Sequence, residues 1–189
     1  MESLEARENR VVHPDSLLVI MDMQNGYINA NTEHLLKDIE ELLEENKFTH
    51  VTCTKFINQQ SSPFVQLMNC DKMQTKEETD VSPEIMQYSE TIFPHYGYSC
   101  WTPEFTKYVS NILPKIIYFV GLNTETSILM SAVECFNKKV QTEILADYCD
   151  SAEGLESHEV GLATLQRLVG EDRVIHLEDL TKVNFATIG

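Results

Sequence analysis

Basic residues are scarce in this chain and long apolar runs are missing from it. Lysine and arginine number 14 against 30 aspartates and glutamates, a formal net charge of −16 over 189 residues. No basic stripe gathers the few cations, which argues against nucleic acid and anionic membranes as partners and favours solubility. No run approaches the roughly 20 apolar residues of a membrane span. Residues 1–15 are polar and mixed in charge, without the apolar core of a signal peptide. The cysteines, at 53, 70, 100, 135 and 149, form no Cys-x-x-Cys pair and no zinc spacing. An odd number without a secretion signal reads as free thiols in a reducing compartment, so a cytoplasmic protein is expected. Gly-x-Gly-x-x-Gly is absent, which removes a dinucleotide site, and there are no internal repeats or low-complexity tracts.

What is present is a chain of strands alternating with helices. Ser16–Met21 is short, apolar and bounded by Pro14 and Gly26, the mark of a central strand. Thr32 is placed to cap a helix with Leu35, Leu36, Ile39, Leu42 and Leu43 on one face and acids on the other. Residues 50–56, 91–93, 116–120, 141–146 and 173–177 supply five further strands. Thr102, Pro103 and Glu104 open a helix with a cap, a first-turn proline and an acid beside the dipole. A last helix over 157–170 turns Val160, Ala163, Leu165 and Leu168 inward, with His158 in its first turn read as a surface or interface residue and not a ligand. Residues 70–82 read as an exposed connection. This alternation predicts one α/β domain over residues 1–189, three-layered and Rossmann-like, with a six-stranded, mainly parallel sheet. Residues 1–14 are read as an N-terminal extension and 178–189 as a C-terminal tail.

The most informative stretch follows the fourth strand. Gly121 breaks the apolar run, and from Thr124 the spacing turns helical, with Ile128, Leu129, Ala132, Val133 and Phe136 on one face. A strand, a tight turn and a helix start leave unpaired amides facing the strand end, a setting suited to a carboxylate, a phosphate or a developing oxyanion. Asp22 ends the first strand in Asp22-Met-Gln24-Asn-Gly-Tyr27, where α/β sheets place chemistry, though an Asx turn or helix cap is the other reading of an aspartate there.

Gly121-x-x-Thr124-Glu125-x-Ser127 with Ala132-x-Glu134-x-Phe136 resembles the nucleophile turn of the isochorismatase-like cysteine hydrolases, which include nicotinamidases, N-carbamoylsarcosine amidases and isochorismatases. Asp22-x-Gln24-x-x-Tyr27 resembles their catalytic aspartate motif. Tyr98, Ser99 and Trp101 match the segment that carries their lysine, and Asp147-x-x-x-Ser151 matches a structural pattern. The resemblance implies Asp22, His95 and Ser127 as the catalytic positions, with serine where the family has cysteine and histidine where it has lysine. It implies backbone amides at Asn123, Thr124 and Thr126 for an oxyanion, a cis peptide bond around Leu122–Asn123, and a homo-oligomer; the sequence adds an exposed aromatic loop, 96–101, for a partner to shield. Gln24, Tyr27, Asn58, Tyr98 and Trp101 are the expected pocket for a small-molecule substrate or ligand. The metal cluster of nicotinamidases has no counterpart, since Lys55, Asn58, Gln59 and Gln60 are poor ligands for zinc or iron; no metal or other cofactor is expected.

A hydroxyl is far harder to deprotonate than a thiol of pKa about 8.5, so the family mechanism does not transfer unchanged. Three readings remain open. Ser127, His95 and Asp22 form a serine triad; or Asp22 protonates a vinyl ether without a nucleophile, as in the isochorismatase branch; or the chain is an inactive binder or assembly subunit. Cys100 is read as a packed thiol, with a relocated nucleophile as the alternative.

Overall fold

The computed structural model describes residues 12–176. The C-terminal tail, most of the N-terminal extension and Leu177 of the expected last strand lie outside the described residues. Within them the elements run β1 (Ser16–Met21), α1 (His34–Glu45), β2 (His50–Phe56), α2 (Pro63–Met68), α3 (Lys76–Thr79), α4 (Pro83–Met86) and β3 (Ile92–His95). Then come α5 (Pro103–Ile112), β4 (Ile116–Leu122), a π-turn (Thr124–Ile128), α6 (Leu129–Lys138), β5 (Thr142–Asp150), α7 (Leu155–Val169) and β6 (Val174–Ile175).

The six strands form one parallel sheet in the order β3-β2-β1-β4-β5-β6. Strand β1 is buried along its whole length. Its side chains alternate, Leu17, Val19 and Met21 joining the core under α5, α6 and α7, and Leu18 and Ile20 the core under α1. That alternation of a continuously apolar strand is what a sheet covered on both faces requires. The connection reverses between β1 and β4, so the crevice for a ligand opens where those two strands end.

Several boundaries differ from the pattern-based expectation, each for a physical reason. Strand β3 runs through Pro94 because it is a sheet edge, where a missing N–H costs no ladder bond. Strand β5 continues past Asp147 to Asp150 through a register shift, Phe119 pairing with Ile144 but Gly121 with Cys149. Thr32 does not cap α1; its hydroxyl donates to Tyr27 O and accepts from Asn29 N–H, closing the loop ahead of the helix. The buried stripe of α6 is Ser131, Ala132 and Cys135, small residues that score poorly for amphipathicity, and Phe136 is 59% exposed. In α7 the buried positions are Gly161, Leu165 and Val169, while Val160, Ala163 and Leu168 face outward. Thr102 caps α5 as expected, accepting from Phe105 N–H.

Residues 70–82 are not a free connection. Val81 bridges to Gln24, Asn25 and Gly26 donate to Asp80 O and Glu78 O, and Met73 and Val81 are buried. The segment folds back over the end of β1 and becomes one wall of the crevice.

Candidate active site

Asp22 follows β1 directly in a left-handed conformation (φ 47°) and is completely buried. Its Oδ1 accepts from the Thr54 hydroxyl at 2.6 Å and meets His95 Nε2 at 2.8 Å. Thr54 in turn accepts the Asp22 N–H, which ties the turn to β2. His95 Nδ1 lies 2.7 Å from Gly97 O, a carbonyl that can only accept, so Nδ1 carries a hydrogen. With Nδ1 committed to Gly97 O, Nε2 is the nitrogen that meets the Asp22 carboxyl, and the two side chains form a buried hydrogen-bonded pair. Burial alone pushes the imidazole pKa down; the Asp22 charge, the hydrogen bond to it and the Gly97 carbonyl outweigh that and leave it raised.

Asp22 and His95 therefore stand together as expected, but His95 does not reach Ser127. One ring nitrogen is held by Asp22 and the other by Gly97 O, so the hydrogen-bond chain of a serine triad is not formed. Asp22 Oδ2 is buried and has no hydrogen-bond partner, so the Ser127 hydroxyl is not within reach of it either.

Strand β4 delivers the second half of the site. Met21 and Gly121 are register partners, which puts the ends of β1 and β4 side by side. Gly121 has φ 102°, and a Cβ there would sit 2.3 Å from Met21 O, so no other residue fits. The Leu122–Asn123 peptide bond is cis, as the resemblance implied. Asn123 O accepts from both Thr126 N–H and Ile128 N–H. The Thr126 amide is thereby withdrawn from the expected oxyanion set, because its hydrogen already points at a carbonyl.

The turn is clamped from behind. The Thr124 hydroxyl donates to Asp150 O, so it accepts from His158 Nδ1 at 2.8 Å. Ala152 N–H donates to Asn123 Oδ1, and the Ser151 hydroxyl to Glu125 Oε1. Helix α7 approaches so closely that a Cβ on Gly161 would lie 2.7 Å from Glu125 N. His158, read from the sequence as a surface or interface residue, is thus a positioning group; helical spacing gave no sign of its contact with Thr124.

Beside the Ser127 turn opens a cleft of about 390 Å³; Asp22 and His95, expected around the same pocket, are buried and do not line it. Of the expected residues, Tyr27, Tyr98, Asn123, Thr126 and Ser127 line it. Gln24 and Asn58 do not; they are buried braces. Gln24 bonds Phe56 N–H, Phe56 O and Thr79 O, and Asn58 bonds Cys70 O and Lys72 O, so both amides pin loops to the cleft wall. Trp101 is turned away, donating to Ser131 O and stacking edge-on with Phe105. Unforeseen lining includes Phe56, Phe64, Met73, Glu125 and Glu153. Phe56, Phe64 and Tyr98 form an edge-to-face chain with centroids 4.9 and 5.0 Å apart. Cys100 is fully buried, its thiol pKa pushed well up by that burial, and it does not line the cleft, which is the setting of a packed thiol. Among the described residues, no group of three or more His, Cys, Asp or Glu side chains is placed to hold a metal ion.

An α/β sheet with an aspartate after β1 and a clamped turn after β4 defines a class, and the comparisons agree. The family model for the isochorismatase domain matches residues 16–175, so the chain belongs to the isochorismatase family. An isochorismatase-like hydrolase from Alkaliphilus metalliredigens superposes with a TM-score of 0.74 at 16% identity, covering 86% of this chain and 95% of that one. A protein of L. infantum solved in complex with nicotinate gives 0.72 at 12% identity, covering 89% and 99%. N-carbamoylsarcosine amidase from Thermoplasma acidophilum gives 0.70 at 12% identity, covering 85% and 94%. A search of curated proteins found no match.

Proposed function

We propose that this chain holds a small molecule in the cleft at the strand ends and forms no covalent intermediate through Ser127. The observation that carries this reading is the commitment of both His95 nitrogens to Asp22 and Gly97, with the remaining Asp22 oxygen unpartnered. A serine hydroxyl without a base in contact is a poor nucleophile. The aromatic wall and clamped turn, which need no base, still supply a concave and partly apolar site. The chain is read as one domain, located in the cytoplasm. Exposed Leu113, Met130 and Phe136 support self-association.

A second reading rests on the unpartnered Asp22 Oδ2. A protonated carboxyl there would deliver a proton to a vinyl ether without any nucleophile. The two readings separate by experiment. A fluorophosphonate probe is expected to leave Ser127 unmodified, checked by peptide mass spectrometry. A Ser127 adduct that disappears in His95→Ala would overturn the proposal, and vinyl ether hydrolysis lost in Asp22→Asn would establish the second reading instead.

A further inference from the structure

Four of the five cysteines are buried, and Cys70 alone is partly exposed. It is also the one cysteine that lines the cleft. Its main chain is held from two sides. The Cys70 N–H donates to Phe64 O, closing the left-handed turn at Asn69 that ends α2, and its carbonyl accepts from the Asn58 side-chain amide. The thiol is thereby fixed in the cleft wall and not carried on a loose loop.

Two side chains of the Ser127 turn face the same space. Ser127 is 7% exposed and lines the cleft, and among the described residues nothing hydrogen-bonds its hydroxyl. That oxygen is not sealed inside the protein as Asp22 Oδ2 is, so it opens on the cleft. Asn123 is as deeply set: its Oδ1 accepts from Ala152 N–H, while its Nδ2 has no partner among the described residues and is not sealed off either. Polar groups so nearly buried and still unpaired are groups that a ligand satisfies. The cleft is at the small end of the range for ligand sites, so a group attached to Cys70 reaches across it.

We propose that Cys70 is a thiol-capture site. A small polar disulfide enters the cleft and forms a mixed disulfide with Cys70, and the retained half lodges beside the Ser127 turn. The oxidation state of one thiol then sets how much of the cleft is free. This rests on the reading that the cleft holds a small molecule, and adds a control on that same site. In the step, Cys70 Sγ, as thiolate, attacks one sulfur of R–S–S–R. The Sγ–S bond forms, the S–S bond breaks, and the departing RS⁻ keeps the electron pair and takes up the proton that Cys70 released. The disulfide is the oxidant, and excess thiol reverses the step.

The test incubates the native full chain with bis(2-hydroxyethyl) disulfide, locates the adduct by peptide mass spectrometry and maps it by NMR. One adduct is expected, on Cys70 and removed by dithiothreitol, with shifts that include Ser127, Tyr98 and the Asn123 side-chain amide as well as residues 69–72. Ser127→Leu places a larger apolar group in the cleft and is expected to slow the Cys70 reaction several-fold, with no change of rate in urea. Thr126→Leu serves in the same way if that variant fails to fold. Shifts confined to residues 69–72, or an unchanged rate in the folded variant, would overturn the capture site and leave the binding cleft standing, because the thiol would then be merely exposed. A native chain that forms no Cys70 adduct would overturn it as well. The reading of Ser127 as non-covalent fails separately, through a fluorophosphonate adduct on Ser127 itself.

Discussion

Replacing Gly161 with alanine sets two opposing effects against each other. Position 161 lies inside α7, where alanine is favoured over glycine by about 1 kcal/mol. On helix propensity alone the variant gains stability. The new methyl, however, would stand 2.7 Å from Glu125 N, 2.9 Å from Glu125 Cα and 2.9 Å from Thr124 C. All three are backbone atoms of a turn tied to Asp150, Ala152 and His158, so no flexible side chain can swing aside. Overpacking of this kind costs typically 1–3 kcal/mol, and contacts to a tethered backbone belong at the upper end, about 3 kcal/mol. The net effect is a destabilisation of about 2 kcal/mol, or roughly 4–8 °C in Tm for a chain of this size. Thermal and urea unfolding of the two proteins measure it directly. A ligand titration on the same samples is expected to show weakened binding, since the displaced turn carries Ser127 and Glu125. An unchanged or higher Tm would refute the reasoning, because propensity would then have outweighed the clash and α7 would not be in contact with the turn.

Two further outcomes are expected. Burial pushes the Cys53 thiol up to about 11 and that of Cys135 up to about 12, raises Cys100 and Cys149 as well, and leaves Cys70 the one partly exposed cysteine. A thiol-reactive disulfide reagent should therefore modify a single thiol in the native chain and all five after unfolding; a second fast thiol would contradict the burial. The raised His95 pKa means that the folded chain holds that proton more tightly than the unfolded one. Its contribution to stability is complete below the ordinary value of about 6.5 and is lost as pH rises through the folded-state value. Urea unfolding midpoints should fall between those two pH values more steeply in the natural chain than in His95→Gln, and parallel profiles would show that the pair does not titrate on folding.

Much of the sheet was legible because its strands are buried on both faces. Ser16–Met21 and His50–Phe56 are found with the expected limits, and Ile116–Leu122 runs only two residues beyond its apolar core. Elements whose burial depends on small residues were not legible. Gly161 and Ser131 carry no hydrophobic signal, yet they face the core because the backbones behind them approach closely. The site divides in the same way. Asp22 and the Ser127 turn are local motifs and stand where spacing put them, whereas the destination of His95's ring depends on a carbonyl two residues away and on β3 beside β2. The aromatic wall from Phe56 and Phe64 required the fold of residues 62–73, of which 70–73 belong to the stretch that polarity alone made look like an exposed connection.

The clamp behind the Ser127 turn uses Thr124, Asn123, Ser151, Ala152, His158 and Gly161, and none of its bonds involves the Ser127 side chain. Shape and reactivity are thereby assigned to different residues. A change at Ser127 alters what is presented to the cleft and leaves the mount intact, so this position can vary in sequence with little effect on folding. The same separation makes the chain a practical host for redesign: thiol, hydroxyl or methyl can be exchanged on a fixed frame, and the functional consequence of each read without a stability correction.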